Sequence, residues 1–292
     1  MSYTEVLLLD LANNHDLRPL AALVRDLRSA DAEADVILVG AMARDVLLWH
    51  AYGISLPRAT TDVDIALAVS DWTAFHKLRA ALLASGNFIA KTATLHKLVY
   101  TELSFAIDLI PFAGVEDAKG YIAWPPDNAE VMSLLGYREA RASAITLHLP
   151  DNQQVAMVSL PMLVVLKVLA WIERHRVEPR KDSRDLDSIL GKYLEAGNEE
   201  RLYAEAAHLL ENPNYDYDLA GAWMCGHDAR TTLEAHSQRL PQILSALNRM
   251  LERETDPDGP LTYVGEIQSG NPDQTRKLLA AFSAGLNLKS SP

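Results

Sequence analysis

The sequence predicts an α/β (α+β) fold in which a small mixed sheet with flanking helices precedes a C-terminal helical domain. Residues 35–69 have the pattern of strand, helix and strand, an alternation typical of α/β proteins. Residues 145–158 have the pattern of a hairpin, and from residue 159 onward the apolar positions follow helical spacing. We therefore predict two domains, 1–158 and 159–292.

The composition allows a buried core and argues against several classes of protein. Of the 292 residues, 49% are hydrophobic and 23% are charged, which is ordinary for a globular protein. Apolar runs stay below the ~18 to 20 residues of a membrane span, and residues 1–10 lack the basic region of a signal peptide. Cys225 is the only cysteine, so no internal disulfide can form and a Cys/His zinc site has no support. We therefore expect a cytoplasmic location and no membrane contact.

Helices and strands alternate along the first half of the chain. Strands are predicted over 35–39, 62–69, 95–102, 104–110, 145–149 and 153–158, and helices over 16–29 and 41–51. A third helix starts after Ser70 or Asp71, either of which can cap it, and ends near Ser85 because Gly86 follows.

Two carboxylates lie at alternate positions of the predicted strand 62–69. Side chains of a strand alternate between its faces, so Asp62 and Asp64 share one face with the small residues Ala66 and Ala68. Two like charges this close repel unless a cation neutralises them. A divalent ion held by hard oxygen ligands is the usual solution. Solvated aspartates at the end of a strand are the alternative.

A turn of small residues precedes this strand. The apolar run 36–39 ends at Gly40, and a helical pattern begins at once with Ala41. Backbone N–H groups at the start of a helix attract phosphate, and the guanidinium of Arg44 in the first turn can bind a phosphate bidentately. A surface pair between Arg44 and Asp45 or another acid is the alternative.

Together, Gly40, the following helix, Asp62 and Asp64 resemble the catalytic signature of the DNA polymerase beta-like nucleotidyltransferase superfamily. With Arg44 and an acid after the turn and a long loop before Asp62, the chain is most similar to CCA-adding enzymes and to AbiEii/AbiGii toxin-type nucleotidyltransferases. The resemblance implies a nucleotidyltransferase core that binds an NTP and two Mg²⁺ ions. Ala41 departs from the family pattern, which has Gly or Ser there, so a Ser hydroxyl that contacts phosphate is missing.

A third acid follows on a later predicted strand. Asp108 is the only carboxylate in the otherwise apolar stretch 104–110, where it costs free energy unless it is paired or bound to a metal. By the resemblance, Asp108 is the third metal-site carboxylate beside the Asp-x-Asp pair; a salt bridge to a cation is the alternative. Lys97 lies across the predicted hairpin and can approach the same site. His96 is expected to be an ordinary polar strand residue.

The second half begins with an apolar helix that contains one lysine. Ser159 can cap this helix, and the run 160–172 is almost continuously apolar around Lys167. The ammonium of Lys167 must either reach solvent along its own stem or meet an anion, a phosphate or a carboxylate. By the resemblance, Lys167 assists at the nucleotide site.

A basic patch follows this helix. The stretch 180–186 is similar to the Arg/Lys-Asp-x-x-Asp-Leu motif of AbiEii-type proteins, which makes Asp182 the functional acid and places Asp185 one turn later. A purely structural role is the alternative, with Asp182 as the helix cap and Asp185 favoured by the helix dipole. Both roles are compatible.

The remaining chain is helical and acidic. Helices are predicted near 198–210, 216–224, 229–252 and 272–284. Residues 193–292 hold eight Lys or Arg against fifteen Asp or Glu, and the whole chain has a formal net charge of −12. Because Lys and Arg supply most affinity for phosphate backbones, this region is a poor nucleic-acid surface. We expect it to pack, dimerise or meet a partner.

The sequence therefore predicts a Mg²⁺-dependent nucleotidyltransferase that moves an NMP from an NTP to an acceptor hydroxyl. The metal ligands would be Asp62, Asp64 and Asp108, and the outgoing pyrophosphate would contact Gly40, Ala41 and Arg44, with Lys167 assisting. The resemblance implies a toxin that acts on RNA, particularly on tRNA ends, under the control of an antitoxin protein. Two alternatives stay open. The acceptor is a protein or small-molecule hydroxyl, which the negative charge favours, or the chain is a degenerate binding module, for which Ala41 is the hint.

Overall fold

The fold is seen in a computed structural model. It describes residues 8–56, 60, 62–91, 94–174, 179–211, 215–251 and 272–288. The chain divides into two compact units, Met1–Val46 with Pro57–Ser159 and Leu47–Leu56 with Leu160–Pro292. The predicted mixed α/β architecture with a helical C-terminal region is confirmed.

Leu47–Leu56 groups with the second unit, which the predicted domains 1–158 and 159–292 did not anticipate. The reason lies in a contact within that unit. The ring of Tyr52 lies against Gly197, where a Cβ would be 2.7 Å from Cε1 of the tyrosine. A side-chain contact across so many residues leaves no periodic signal in the sequence.

The first unit is built on an eight-stranded mixed sheet. Its strands are β1 (Leu8–Asp10), β2 (Asp35–Val39), β3 (Asp62–Val69), β4 (Phe88–Ala90), β5 (Lys97–Tyr100), β6 (Phe105–Ala113), β9 (Ile145–Leu149) and β10 (Gln153–Met157), in the order β1-β9-β10-β2-β3-β6-β5-β4. A separate hairpin pairs β7 (Tyr121–Ala123) with β8 (Val131–Ser133). The central strand β3 is antiparallel to β2 and parallel to β6, so the sheet is mixed at the site of interest.

The α-helices in the described part of the first unit are α1 (Arg18–Ala30), α2 (Gly40–Asp45), α3 (Trp72–Ala84) and α4 (Tyr137–Ala142). A π-helical turn over Val46–Ala51 continues α2, so the predicted helix 41–51 is present with a change of winding. Asp71, not Ser70, caps α3, because its carboxylate accepts a hydrogen bond from the backbone N–H of Ala74 at 2.9 Å.

The core of the first unit confirms the predicted alternation along β3. Val63, Ile65 and Leu67 are at most 1% exposed, whereas Asp62 on the other face is exposed and Asp64 is half-buried. One face of the strand therefore packs into the core, as an amphipathic strand requires.

The second unit consists of helices. They are α5 (Leu160–Arg174), α6 (Pro179–Leu190), α7 (Glu199–Glu205), α8 (Tyr217–His236), α9 (Leu240–Leu251) and α10 (Pro272–Leu286). None of the helices in the part of the chain described above is long and apolar enough to cross a membrane.

The predicted break between residues 224 and 229 is wrong, because α8 runs unbroken through it. Gly226 lies in this stretch, and glycine disfavours a helix interior by about 1 kcal/mol. Here it lets α8 approach α10 closely: a Cβ on Gly226 would lie 2.0 Å from the carbonyl oxygen of Phe282, and one on Gly285 would lie 1.9 Å from that of Trp223. Tertiary packing thus overrides the local preference. Cys225 is completely buried beside this contact.

Candidate active site

The sheet brings two of the three predicted aspartates side by side. In the parallel pairing of β3 with β6, Asp64 is the direct partner of Asp108. Neighbouring strands lie about 4.8 Å apart, and register partners project to the same face. Asp62 lies two residues before Asp64 on that face, with Ala106 as its partner across the strand pair. All three carboxylates thus share one face, and two of them are neighbours.

The aspartates lie at a partly exposed end of this face. The Asp108 side chain is 34% exposed, and Asp64 is also half-buried. The small residue Ala66 on this face is fully buried, whereas Ala68 is half-buried. A ligand can therefore reach this face at the carboxylates.

Gly40 fixes the position of the Asp64 carboxylate. It begins α2 with φ of +69°, a left-handed conformation that glycine adopts without cost. Its neighbour Val39 is the partner of Asp64 in the antiparallel pairing of β2 with β3. A Cβ on Gly40 would lie 1.8 Å from Oδ2 of Asp64. The turn and the aspartate therefore fit together only because residue 40 has no side chain.

Arg44 and Asp45 form a buried pair beside this turn. Nε of Arg44 donates to Oδ1 of Asp45 at 2.8 Å, and Oδ2 of Asp45 accepts from the backbone N–H of Thr60 at 2.8 Å. The predicted alternative of a pair with Asp45 is therefore found, but it is buried, with Arg44 only 8% exposed. The pair ties α2 to the loop that precedes β3. Contact of Arg44, Ala41 or Gly40 with a phosphate stays a prediction.

Lys97 lies beside Asp108 on the neighbouring strand. The two are partners in the antiparallel pairing of β5 with β6, and Nζ of Lys97 is 3.8 Å from Oδ2 of Asp108. The carboxylate therefore has the cationic neighbour that the alternative interpretation of Asp108 required.

His96 packs next to this pair instead of joining it. Its ring centroid is 4.4 Å from that of Trp124, and its carbonyl oxygen accepts from the backbone N–H of Leu109. Burial lowers the pKa of His96, although nearby Asp108 and Glu130 act in the opposite direction. His96 was expected to be an ordinary polar strand residue, but it lies in the turn that precedes β5, because β5 begins only at Lys97.

In the second unit, Lys167 is buried against two carboxylates. Its Nζ contacts Asp185 and lies 3.5 Å from Oδ1 of Asp182, and the residue is 5% exposed. The ammonium therefore meets anions inside the unit and does not reach solvent along its stem. Its predicted contact with nucleotide phosphates is a separate question and stays a prediction.

Asp182 is held by two cations. Arg174 donates to both of its carboxylate oxygens at 2.6 Å, in addition to the approach of Lys167, and Asp182 is fully buried. The helix α6 begins at Pro179, so Asp182 lies within the first turn and is not the helix cap. The predicted capping role is therefore wrong, because the cluster with Arg174 and Lys167 holds the carboxylate instead. The catalytic role of Asp182 stays a prediction. The side chains of Arg180 and Lys181 are not among those that the structure describes.

The donor set of the first unit suits a hard divalent cation. Among the described residues, no group of three or more His, Cys, Asp or Glu side chains is arranged as a metal site. Asp64 and Asp108 nevertheless offer neighbouring carboxylate oxygens, the ligands that Mg²⁺ prefers, and Asp62 follows on the same face. The chemistry of these oxygen donors is compatible with Mg²⁺, and its binding here stays a prediction.

The fold and this site define an α/β protein whose sheet carries neighbouring carboxylates beside a glycine turn. Neither a protein-family model nor a curated protein sequence matches the chain. Among solved structures it is similar to that of the antibiotic-resistance factor ANT(2'')-Ia, with 14% sequence identity and a TM-score of 0.35, over 66% of this chain and 98% of that one. A likeness this loose carries no argument about activity.

Proposed function

We propose that the chain is a metal-dependent nucleotidyltransferase that moves an NMP from an NTP to an acceptor hydroxyl. One observation carries the proposal: Asp64 and Asp108 are register partners, and the backbone of Gly40 lies directly against the Asp64 carboxylate. A purely structural strand end requires neither a second carboxylate in register nor a glycine packed on the first.

The aspartates supply the cation site of the proposed reaction. Asp62, Asp64 and Asp108 would hold Mg²⁺, which when bound activates the attacking hydroxyl and neutralises the triphosphate. The acceptor hydroxyl loses its proton to water, its oxygen forms a bond to the α-phosphorus, the bond from that phosphorus to the β-phosphate oxygen breaks, and pyrophosphate leaves. Gly40 holds the Asp64 carboxylate in place, and the start of α2 offers its backbone N–H groups to the leaving phosphates. The predicted assisting roles of Lys167 and Asp182 stay predictions.

The acceptor is inferred from the net charge of the chain, and not from the geometry of the site. A net charge of −12 opposes binding to a polyanion, so we propose a protein or small-molecule hydroxyl as the acceptor. Transfer to RNA or tRNA ends by a toxin under antitoxin control is the second candidate, and it rests on the sequence motifs Gly40, Asp62-x-Asp64 and the stretch 180–186. Purified chain incubated with each labelled NTP, Mg²⁺, and either total RNA or total protein separates the two by which fraction takes up label.

The decisive variant is Asp64→Asn. It removes a hard ligand while relieving repulsion from the neighbouring Asp108, so the fold should keep or gain stability. Label transfer should fall by at least about a hundredfold, because metal stabilisation of the transition state amounts to several kcal/mol. Asp151→Asn is the matched control, since Asp151 lies in an exposed hairpin turn with φ of +56°, which Asn also adopts. Equal turnover in the two variants would contradict the proposal.

A further inference from the structure

Lys97 completes a row of residues that crosses the sheet at the candidate site. Across β2, β3, β6 and β5, the register partners in order are Val39, Asp64, Asp108 and Lys97. Lys97 therefore lies on the Asp108 side of the aspartate pair, and Val39, which precedes Gly40, lies on the Asp64 side. Lys97 is the cation that the structure pairs with Asp108.

The ion pair between Lys97 and Asp108 is loose. Nζ and Oδ2 are 3.8 Å apart, and the two side chains are 40% and 34% exposed. Half-exposed pairs at such distances contribute little to stability, and the lysine stem is long and flexible. By contrast, the guanidinium of Arg44 is buried against Asp45, which is tied in turn to Thr60. Lys97 is thus a cation that can move without disturbing the fold.

We propose that Lys97 is a counter-cation of the Asp64–Asp108 pair, which a divalent ion displaces and which then contacts the triphosphate of the bound NTP. The inference rests on the proposed function. Two adjacent carboxylates repel each other unless positive charge lies nearby, and Lys97 contributes such a charge at Asp108. Once the divalent ion neutralises the carboxylates, the ammonium is released next to a ligand that brings several negative charges. A charge-assisted contact to a phosphate oxygen is the consequence.

This exchange predicts opposite effects on two affinities. Lys97→Met keeps the packing of the stem and deletes only the charge. Without nucleotide, the variant should bind Mn²⁺, a probe with the oxygen-ligand preference of Mg²⁺, about threefold or more tightly, because no ammonium competes. With the divalent ion present, it should bind a non-hydrolysable NTP about tenfold more weakly, because a charge-assisted contact is lost.

Calorimetric titration of four proteins tests the exchange. Lys77→Met is the matched control, because Lys77 is an exposed lysine of α3, and both its affinities should equal those of the wild type. Lys97→Arg keeps the charge and should restore the wild-type affinity for Mn²⁺. Thermal unfolding of each variant checks that the fold is retained.

The outcomes show whether this inference fails alone or together with the proposed function. If the wild type binds Mn²⁺ and NTP but Lys97→Met binds both with unchanged affinity, the role of Lys97 is overturned and the nucleotidyltransferase proposal stands. A fall in both affinities also overturns the exchange, since it would make Lys97 a supporting residue of the metal site. If neither the wild type nor Lys97→Met binds Mn²⁺, the metal site itself fails, and both proposals fail together.

Discussion

Gly40 packs so closely against the carboxylate of Asp64 that residue 40 has no room for a Cβ atom. Gly40→Ala should therefore displace Asp64 in addition to straining a backbone with φ of +69°. Gly86→Ala separates the two effects, because Gly86 has φ of +79° and open space around its missing Cβ. Both variants should lose about 1 to 2 kcal/mol of stability from left-handed backbone. Only Gly40→Ala should also lose nucleotide transfer and Mn²⁺ binding, as measured by label transfer and calorimetry.

Parallel losses of activity in the two glycine variants would show that backbone strain alone disturbs the site. Full activity in Gly40→Ala would remove the glycine turn from the proposed function.

Lys167 is expected to stabilise the second unit through its ammonium. Lys167→Met removes the cation that Asp182 and Asp185 share inside the unit. Breaking a buried ion pair from one side costs about 3 to 5 kcal/mol, and denaturant unfolding measures it. Adding Asp185→Asn to Lys167→Met should recover part of this loss, because it removes one of the carboxylate charges. A neutral or stabilising Lys167→Met, the result expected of a lysine that reaches solvent, would contradict the buried cluster.

At this scale strand alternation predicted that Asp62 and Asp64 share a face, whereas the place of Asp108 on that face depends on the register of β3 with β6 and its role as a metal ligand stays a prediction. The partner of Asp108 was also predictable from the sequence. When Tyr100 pairs with Phe105 across the hairpin, the antiparallel register places Lys97 opposite Asp108. The Arg174 contact with Asp182 was not predictable, because it joins two helices whose angle no local pattern specifies. The burial of Arg44 was also out of reach, since it depends on a loop that folds back to Asp45.

The contact between α8 and α10 depends on the absence of a side chain at Gly226 and at Gly285. A Cβ on Gly226 would lie 2.0 Å from the backbone oxygen of Phe282, which cannot move aside as a side chain can. Gly226→Ala should therefore destabilise the unit by about 1 to 3 kcal/mol, although alanine favours a helix interior by about 1 kcal/mol. Gly221→Ala in the same helix is the control, because its nearest obstacle is the Leu194 side chain at 3.0 Å. Denaturant midpoints should fall more for Gly226→Ala, and the reverse order would contradict the packing argument.

Element boundaries were predicted best where a regular apolar pattern extends over the whole element. Strands β2 and β3 have the predicted bounds, because each has a clear alternation or a continuous apolar run. Strands β1 and β4 were missed, since three residues are too few to define a period. The unbroken α8 was divided in the prediction because its glycines lower local helix propensity, and only the approach of α10 compensates. Local sequence patterns thus predict an element whose own residues carry a clear periodicity. They miss an element that depends on contacts with residues distant in the sequence.

Over the whole molecule, the net charge of −12 should oppose folding through self-repulsion. Raising sodium chloride from about 20 to about 300 mM shortens the screening length severalfold. The melting temperature should therefore rise, by about 2 °C or more if the repulsion is worth about 1 kcal/mol. Attractive pairs such as Arg201 with Asp228, at 2.8 Å, work in the opposite direction. A melting temperature that falls with chloride would show that these pairs outweigh the net charge.

The buried position of Cys225 makes the chain its own reporter of unfolding. Burial raises the pKa of this thiol well above its ordinary value, so the reactive thiolate is suppressed as well as shielded. Because the sequence contains no second cysteine, any thiol reagent that the protein consumes has reached this one position beside α10. The rate of modification by such a reagent therefore measures how often the helical unit opens, without a dye, a mutation or a label. Measuring this rate together with the loss of nucleotide transfer would show which of the two units unfolds first.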